Sequence, residues 1–396
     1  MSSVSASQHA EPDTGTRPSV PLLVIAREWG RIGCTGFGGP PAHIALLRQL
    51  CVQRRGWMSS GEFEDGIAAT NLLPGPASTQ LAIFCAWRLA GTAGALVGGL
   101  CFIVPGLIVI LALSVLFLAH SPPAWVLGAA QGAGAAVPAV AVSAAVSLAP
   151  ASWQRADGRT GQARWLGYLI AGGLAASLAG EFFVAVLAGC GIAELLIRRP
   201  PRAVGARSWL GPLALRAGGA TGGLASVAWV ALKVGALSFG GGFVIIPLMQ
   251  GDAVHTYHWM TGGQFLSAVA LGQVTPGPVV QTVAVVGYAA AGIGGGLLAA
   301  AVAFAPSFIF VLVGGRHFDT FRSSARAQAF LAGAGPAAIG AIAGAAVTLG
   351  LELTHGWQIA VLAAALAWLL LLRRGVVLAI VGAAAIGVML ALAGVG

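Results

Sequence analysis

Charged residues are scarce in this sequence. Lys and Arg number 21 and Asp and Glu 12, which is 8% of 396 residues, whereas about a quarter of the residues of a soluble domain are charged. With 57% hydrophobic residues and a mean hydropathy of +0.87, the chain could not cover its surface with polar groups in water. The composition therefore excludes a soluble enzyme and predicts a polytopic membrane protein.

Paired cysteines and catalytic motifs are also missing. The five cysteines are odd in number and form no CxxC pair, which excludes a disulfide scaffold. The chain has no HExxH, Walker loop or nucleophile elbow, so we expect neither an enzyme nor a bound cofactor. Asp252, His255 and His258 are three residues apart, so on a helix their side chains would not stay on one face. We expect no metal site there. The net charge of +9 lies in short loops between apolar runs, which is typical of cytoplasmic loops rather than of nucleic-acid binding.

Long hydrophobic runs dominate the chain after residue 21. Residues 1–21 are polar, lack the apolar core of a signal peptide and are predicted to form a disordered tail. A membrane-spanning helix needs about 20 apolar residues. Candidate spans are 94–119, 124–149, 165–180, 182–197, 295–314, 329–350, 357–372 and 376–394. Two further pairs of apolar segments are interrupted by Gly-Gly or Pro-Gly-Pro, namely 22–52 with 62–90 and 224–250 with 264–291.

The interrupted segments are copies of each other. A shift of 202 residues, without a gap, superposes Phe37-Gly38-Gly39 on Phe239-Gly240-Gly241, Trp57-Met58 on Trp259-Met260, and Pro74-Gly75-Pro76 on Pro276-Gly277-Pro278. We therefore predict two homologous halves, 22–197 and 224–396, joined by a basic cytoplasmic linker at 198–223. Duplicated halves with helices broken in matching places are typical of secondary transporters.

Basic loops are distributed differently in the two halves. In half one they follow the fourth apolar run, whereas in half two they follow the third and the fifth. These residues are Arg155, Arg159 and Arg164 in half one, and Arg316, Arg322, Arg326, Arg373 and Arg374 in half two. Because cytoplasmic loops are rich in Arg and Lys, the halves are predicted to be inverted repeats, with about ten crossings and two re-entrant hairpins. In the alternative topology every segment crosses the membrane, and several arginine clusters then lie on its outer side.

The motifs resemble those of the chromate ion transporter (CHR) family, in its long-chain form with two repeats. The resemblance rests on Gly-Phe-Gly-Gly-Pro at 36–40, Asn-Leu-Leu-Pro-Gly-Pro-Ala-Ser-Thr-Gln at 71–80, and degenerate copies of both in half two. It implies export of chromate, with sulfate as a structural analogue, across the cytoplasmic (inner) membrane, and hence chromate resistance. Half two departs from the pattern, because Gly242 replaces Pro40 and Gln273 replaces Asn71. The halves therefore need not contribute equally to a site.

Chromate and sulfate are tetrahedral dianions, so a site for them in the membrane needs hydrogen-bond donors and positive charge. Each Pro-Gly-Pro ends one half-helix and begins the next, because proline suits the first turn of a helix, and a helix N-terminus binds anions. We expect the substrate at these two breaks; the alternative is that they only turn buried hairpins. The candidate residues are Phe37, Gly38, Gly39, Asn71, Pro74, Gly75, Pro76, Ser78, Thr79 and Gln80 in half one, and Phe239, Gly240, Gly241, Gln273, Pro276, Gly277, Pro278, Gln281 and Thr282 in half two.

Two basic residues inside apolar runs are further candidates for substrate binding. Arg31 and Lys233 occupy equivalent positions in the two halves, and Lys233 is the only lysine in the chain. A cation in the bilayer usually faces a polar pathway, so the pair is predicted to match the charge of a dianion. The alternative is that both side chains snorkel to an interface. Glu28, one turn before Arg31, has no acidic counterpart in half two and is expected to pair with Arg31 or Arg27.

Few acids are available to carry a coupling proton. The candidates are Glu28, Glu62, Glu64, Asp65 and Asp252. Acids near the positive end of a helix have a more ordinary explanation, which is stabilisation of the helix dipole. The sequence thus predicts an all-α polytopic membrane protein that exports an oxyanion. The alternatives are a sulfate or other oxyanion carrier and a membrane-embedded scaffold or lipid-handling protein, and a homodimer stays open in each case.

Overall fold

The computed structural model of the chain describes eight stretches of residues. They are 20–73, 75–119, 121–156, 158–178, 183–198, 223–238, 243–314 and 324–394. Most of the predicted tail and linker lies outside the described residues, as do the predicted site residues Pro74, Phe239, Gly240 and Gly241. The described residues form helices joined by turns, so the prediction of an all-α chain is confirmed for them.

Half one is made of seven helices within the described residues. They are α1 (Leu22–Thr35), α2 (Gly39–Arg48), α3 (Ser60–Leu72), α4 (Ala77–Phe117), α5 (Ala124–Trp153), α6 (Gly158–Leu178) and α7 (Phe183–Ile197). A π-helical segment, Gln49–Arg54, extends α2. Ser59 and Glu62 form a capping box at the start of α3, in which each side chain accepts a hydrogen bond from the backbone N–H of the other residue.

Half two follows the same order. Its helices are α8 (Leu224–Leu237), α9 (Ile245–Gln250), α10 (Gly262–Val274), α11 (Thr282–Gly314), α12 (Ala325–Leu351), α13 (Gly356–Leu366) and α14 (Val376–Leu392). Gly251–Thr256 extends α9 as a π-helix, Ala367–Leu371 extends α13 in the same way, and a 3₁₀ turn, Val279–Gln281, precedes α11. Thr261 and Gln264 repeat the capping box at the start of α10.

The irregular features recur at the same spacing as the sequence motifs. The two π-helical extensions of α2 and α9 begin at Gln49 and Gly251, which are 202 residues apart. Helices α4 and α11 are both kinked, at Gly91 with φ of 60° and at Gly292 with φ of 63°. Glycine adopts such angles without steric cost, so the repeated glycine accounts for the repeated kink. The predicted boundary between the segments 62–90 and 94–119 is therefore a kink inside α4 and not a loop.

Four of the described helical stretches are long and apolar enough to cross a membrane. They are Ala77–Phe117, Ala124–Trp153, Val279–Gly314 and Ala325–Leu351. Several of the predicted spans are thus confirmed as apolar helices. The long spans lie at the centre of the fold, where α4 packs on α11 and α5 packs on α12.

Helices of each half pack against helices of the other half. Helix α5 of half one packs on α13 and α14 of half two, and its counterpart α12 packs on α6 and α7 of half one. Gly335, in the first half of α12, lies next to Ser152, near the end of α5. The equivalent helices α5 and α12 therefore run in opposite directions.

Helices α4 and α11 meet in the same antiparallel manner. Gly99 of α4 packs on the Phe308 ring near the end of α11, and Leu111, later in α4, packs on Gly296 near the kink of α11. The equivalent helices α4 and α11 are thus opposed in direction where they meet. This arrangement brings the two Pro-Gly-Pro breaks, which begin α4 and α11, to the centre of the molecule.

Candidate functional site

Each Pro-Gly-Pro break is hydrogen-bonded to the end of the first helix of the other half. The backbone N–H of Gly75 donates to the carbonyl oxygen of Ser238 at 2.9 Å, and that of Gly277 donates to the carbonyl oxygen of Gly36 at 3.0 Å. Gly36 and Ser238 are equivalent residues, directly after α1 and α8. The structure therefore brings both breaks and both helix ends together between the halves.

Close contacts at the breaks explain their glycines. Gly75 and Gly277 have φ of +124° and +95°, in the region that favours glycine. A Cβ on Gly75 would collide with the side-chain amide of Gln80 and would lie 3.4 Å from Ser307 Oγ. A Cβ on Gly106, in α4, would collide with the carbonyl oxygen of Pro276. A larger residue would therefore meet close neighbours at Gly75 and at Gly106, which packs on the second break.

The Phe-Gly-Gly segment of half one forms the turn from α1 to α2. Gly38 and Gly39 have φ of +100° and +72°, and α2 begins at Gly39. A Cβ on Gly39 would lie 3.6 Å from the Val279 side chain, in the first turn after the other break. The Phe37 side chain is 44% exposed. The glycines therefore lie beside the break of half two, whereas Phe37 stays on the surface.

Three buried hydroxyl groups collect at the first break. The half-one break is defined here as residues 75–80 together with Ser238 and Ser307. Among the described residues, Thr79 Oγ1, Ser238 Oγ and Ser307 Oγ are buried without a hydrogen-bond partner. An unsatisfied buried polar group costs about 1–3 kcal/mol, so such groups call for an explanation. A ligand that accepts hydrogen bonds would supply the missing partners.

His43 is a site residue that the sequence analysis missed. Its imidazole is fully buried, with Nε2 2.9 Å from the carbonyl oxygen of Gly36 and Nδ1 3.3 Å from Ser78 Oγ. The only signal in the sequence is a titratable residue inside the interrupted apolar segment 22–52. Its equivalent position in half two is Ile245, so no repeated motif marks it.

The corresponding donors of half two are already used. Gln281 Nε2 donates to the carbonyl oxygen of Ile103 at 2.8 Å, and Thr282 Oγ1 donates to that of Val279 at 2.8 Å. Gln273 Nε2, near the end of α10, is buried without a partner among the described residues. The two breaks therefore differ. The described residues at the first include unpaired hydroxyls, whereas at the second Gln281 bonds to the other half and Thr282 to its own.

A cavity of about 930 Å³ opens beside the half-one break. Asn71 and Leu237 are among its lining residues, and they come four residues before Gly75 and one before Ser238. Elsewhere the cavity is lined by α5, α6, α7 and α12. Asn71, predicted as a binding residue, thus lines an approach to the break and is itself exposed.

Positive charge predominates in the wall of this cavity. Its charged lining residues are Arg155, Arg164, Arg198 and Glu194. Glu194 accepts hydrogen bonds from Arg164 at 2.9 Å and from Arg198 at 2.7 Å, and a third from the Tyr168 hydroxyl at 3.1 Å. One buried carboxylate therefore positions two arginines, and the wall keeps an excess of positive charge.

Arg31 and Lys233 are each held by an acid of their own half. Lys233 Nζ lies 2.6 Å from Asp252 Oδ2, whose side chain is 2% exposed. Arg31 lies 3.4 Å from Glu28, which also binds Arg55 at 2.6 Å. Of the two partners expected for Glu28, the structure thus provides Arg31, and it adds Arg55. Each of the two cations thus has an acidic partner close by, and their joint role toward a dianion stays a prediction.

The other acids named as coupling candidates lie near the start of α3. Glu62 belongs to the capping box and binds Arg88 at 2.7 Å, and Glu64 pairs with Arg48. Glu64 and Asp65 are exposed. Their positions fit the ordinary interpretation of acids at a helix start, whereas Asp252 is buried. Within the described residues, no group of three or more His, Cys, Asp or Glu side chains could hold a metal ion.

Comparison with known proteins links both halves to one family. The family model described as "Chromate transporter" matches residues 23–195 and 225–388. The chromate transport protein of Cupriavidus metallidurans is 32% identical over 84% of this chain and 84% of its own length. A probable chromate transport protein of Synechococcus elongatus is 30% identical, over 85% and 87%, and the chromate transport protein of Pseudomonas aeruginosa is 32% identical, over 81% and 79%. No solved structure gives a significant match.

Proposed function

This chain belongs to the chromate transporter family, and we propose that it is a secondary transporter that exports chromate across the cytoplasmic membrane and so confers chromate resistance. The family consists of transporters, not enzymes, and the apolar helices make the protein a multi-pass membrane protein. The observation that carries the proposal is the group of three unpaired buried hydroxyls at the half-one break. A cavity with three arginines in its wall supports it, because two of its lining residues, Asn71 and Leu237, are close in sequence to that break.

The half-one break has the chemistry to bind a tetrahedral oxyanion. Thr79, Ser238 and Ser307 each have a hydroxyl hydrogen to donate. Thr79 lies in the first turn of α4, and the N-terminus of a helix favours a bound anion. Four acceptor oxygens at tetrahedral angles suit donors that come from several chain segments. Chromate and sulfate share this geometry, so the site is proposed for both, with chromate as the exported substrate.

The cavity supplies the charge that attracts the anion. Arg155, Arg164 and Arg198 line it, and one carboxylate offsets only part of their charge. A cleft lined with one sign of charge concentrates counter-ions and raises their rate of association. We propose that this cavity faces the cytoplasm. The arginines in its wall belong to the basic segments of the chain that are predicted to be cytoplasmic.

An inverted repeat gives the two halves the symmetry that alternating access needs. The antiparallel courses of α4 with α11 and of α5 with α12 support this topology, and so do the reciprocal bonds of Gly75 and Gly277. In transporters with inverted repeats the substrate binds near the midplane, at broken helices, and the halves move around it. We propose 22–197 and 224–396 as these halves.

The membrane potential favours export. Moving one charge through 100 mV is worth about 2.3 kcal/mol. A dianion leaving a cell whose interior is negative therefore gains roughly 4.6 kcal/mol per 100 mV. Export needs little further driving force, whereas import of the same ion would need coupling to another gradient.

Transport in vesicles of known orientation tests this function. We expect inside-out vesicles that contain the protein to accumulate labelled chromate when the potential drives anions inward, with sulfate as a competitor. Faster counterflow of sulfate than of chromate would make the protein a general oxyanion carrier. Absence of transport of both ions by inserted protein would contradict the proposal and favour a scaffold.

An arginine variant tests the route. Arg164→Gln should raise the KM for chromate several-fold with little change in the maximal rate, because the cavity charge acts on capture of the anion. Arg159→Gln is the matched control, since Arg159 lies in the first turn of the same helix but does not line the cavity. Equal effects of the two changes would show that the general surface charge, and not the cavity, attracts the anion.

A further inference from the structure

His43 lies where the two breaks are joined. The carbonyl oxygen of Gly36 accepts hydrogen bonds from both His43 Nε2 and the backbone N–H of Gly277, at 2.9 and 3.0 Å. On its other side, His43 Nδ1 is 3.3 Å from Ser78 Oγ, in the first turn of α4. The edge of the ring meets Phe102, with 5.0 Å between ring centroids. One buried imidazole thus connects the break of half two with the first turn after the break of half one.

The partners of the ring determine its tautomer. A carbonyl oxygen only accepts, so Nε2 of His43 must carry a hydrogen. In the neutral ring Nδ1 is then an acceptor, and the Ser78 hydroxyl donates to it. In the protonated ring Nδ1 becomes a donor, and the Ser78 oxygen must accept. The Ser78 hydrogen is then released to another acceptor.

The half-one break lacks a charge of its own. Its unpaired donors are the neutral hydroxyls of Thr79, Ser238 and Ser307, and the arginines of the cavity belong to α5, α6 and α7. Burying an ionised group without a compensating charge is very costly. A proton on His43 would supply a positive charge one hydrogen bond away from the first turn of α4.

We propose that His43 takes up a proton when the oxyanion binds at the half-one break, so that one proton is bound with each oxyanion. This inference rests on the proposed function. The proton adds to Nδ1, and the bond between Ser78 and His43 reverses its direction. The Ser78 hydrogen turns to the anion and joins the donors of Thr79, Ser238 and Ser307. His43 is therefore a positioning residue, which acts on the anion through Ser78.

The other titratable groups on the elements packed against α2 make no hydrogen bond or ion pair to His43 within the described residues. Helices α1 and α4 and the π-helical extension pack against α2. Their titratable side chains, with that of α2 itself, are Arg27, Glu28, Arg31, Cys34, Arg48, Cys51, Arg54, Arg55, Cys85, Arg88 and Cys101. Ion pairs join Arg31 and Arg55 to Glu28, Arg48 to Glu64, and Arg88 to Glu62. In the described part of the chain, none of these pairs includes His43.

Coupling to a proton changes the charge that is moved. A dianion that leaves with one proton moves a net charge of minus one. The membrane potential then contributes about 2.3 kcal/mol per 100 mV, which is half of its contribution to export of the dianion alone. Where His43 is neutral in the free protein, each binding event takes up one proton. Chromate affinity should therefore fall about tenfold for each unit by which the pH is raised.

Calorimetry of the purified full-length protein tests the proposal. Chromate is titrated at alkaline pH, where the free ion is the dianion, in two buffers with different ionisation enthalpies. The difference between the measured binding enthalpies gives the number of protons taken up. We expect about one proton per chromate in the wild type and none in His43→Gln, whose amide keeps both hydrogen bonds but does not titrate. His255→Gln, at an exposed residue of half two, should behave as the wild type.

The outcomes separate this inference from the proposed function. Chromate binding without proton uptake in the wild type, or unchanged uptake in His43→Gln, would overturn the role of His43 and leave chromate binding intact. Absence of chromate binding by the folded wild type would overturn both. Should His43→Gln not fold, NMR of the histidine-labelled wild type provides the test, because one imidazole must become charged when chromate is added. Unchanged imidazole signals would overturn the proposal.

Discussion

Gly75 donates its backbone N–H to the carbonyl oxygen of Ser238, in the opposite half of the chain, at 2.9 Å. The equivalent residues Gly277 and Gly36 make the same bond in the reverse direction at 3.0 Å. Neither break is therefore held by its own half alone. A movement of one half against the other must change both bonds, which links the geometry of the candidate site to any conformational change of the protein.

Gly75 should be essential for transport rather than only for folding. Gly75→Ala and Gly91→Ala both force alanine into a positive φ, which costs about 1–3 kcal/mol. A Cβ at position 75 also meets Gln80 and Ser307, whereas one at position 91 meets nothing within 4 Å. We expect similar losses of thermal stability and a much larger loss of chromate uptake for Gly75→Ala. Equal uptake by the two variants would show that the geometry of the break is not part of the site.

Removal of an unpaired hydroxyl should lower affinity without lowering stability. Ser307→Ala removes a buried group that has no hydrogen-bond partner, so the free energy of unfolding should stay constant or rise. A hydrogen bond to a charged ligand is worth about 1.5–3 kcal/mol, so chromate affinity should fall roughly tenfold to a hundredfold.

Ser114→Ala is the control for that experiment. The Ser114 hydroxyl is also buried in a long helix, but it donates to the carbonyl oxygen of Ile110 at 2.7 Å. Its loss should leave chromate affinity unchanged. Wild-type affinity in Ser307→Ala would remove this hydroxyl from the proposed site.

The two symmetric cations should respond differently to neutralisation. Lys233→Gln leaves the buried Asp252 without its cation and should cost about 3–5 kcal/mol of stability. Arg31→Gln should cost less than about 1 kcal/mol, because Arg31 is half exposed and Arg55 still binds Glu28. Thermal unfolding in detergent measures both changes.

A compensating change separates stability from substrate binding at Lys233. Lys233→Gln combined with Asp252→Asn removes both charges and should recover most of the lost stability. Chromate affinity of this double variant then tests whether Lys233 supplies charge to the dianion. Wild-type affinity would give the pair a structural role, whereas a tenfold or greater loss would return Lys233 to the binding site.

Equivalent loops should lie on opposite faces of the membrane. Single cysteines at Gly158 and Ser324, on a background without the five native cysteines, should react with reagents from the cytoplasm, and those at Ser121 and Thr354 from outside. Ser121 and Ser324 precede the equivalent helices α5 and α12. If both react from the same face, the inverted topology is wrong.

Most of the helical framework could be predicted, because its signals are local. Hydrophobic length located the long spans, and glycine and proline located the breaks, since both residues impose backbone angles without help from distant contacts. The shift of 202 residues also predicted that the two halves share their irregular features, such as the π-helical segments that begin at Gln49 and Gly251. Composition does not distinguish a kinked helix from two helices, so the sequence predicts a boundary between two helices where the structure has the kink at Gly91.

The chemistry of the site was predicted less completely. The sequence analysis chose residues by motif and symmetry, and so it missed His43 and Ser307, which have no polar counterpart in the other half. It did not predict that Lys233 is paired with Asp252 or that Arg55 also binds Glu28. The partners of Lys233 and His43 come from different helices, and the hydrophobic pattern of one helix does not report which polar residue of another helix it will meet.

The sequence by itself determined the class of protein, the duplicated halves and the positions where the helices break, because composition, repetition and backbone preference are properties of short segments. Only the tertiary structure decided that α5 and α12 each pack on helices of the opposite half. It also decided that Gly75 binds Ser238 and that the unpaired hydroxyls lie at one break. These features join residues that are far apart in the sequence, such as Gly75 and Ser238. They depend on how apolar helix faces pack together, and packing selects one arrangement among many that satisfy the same local preferences.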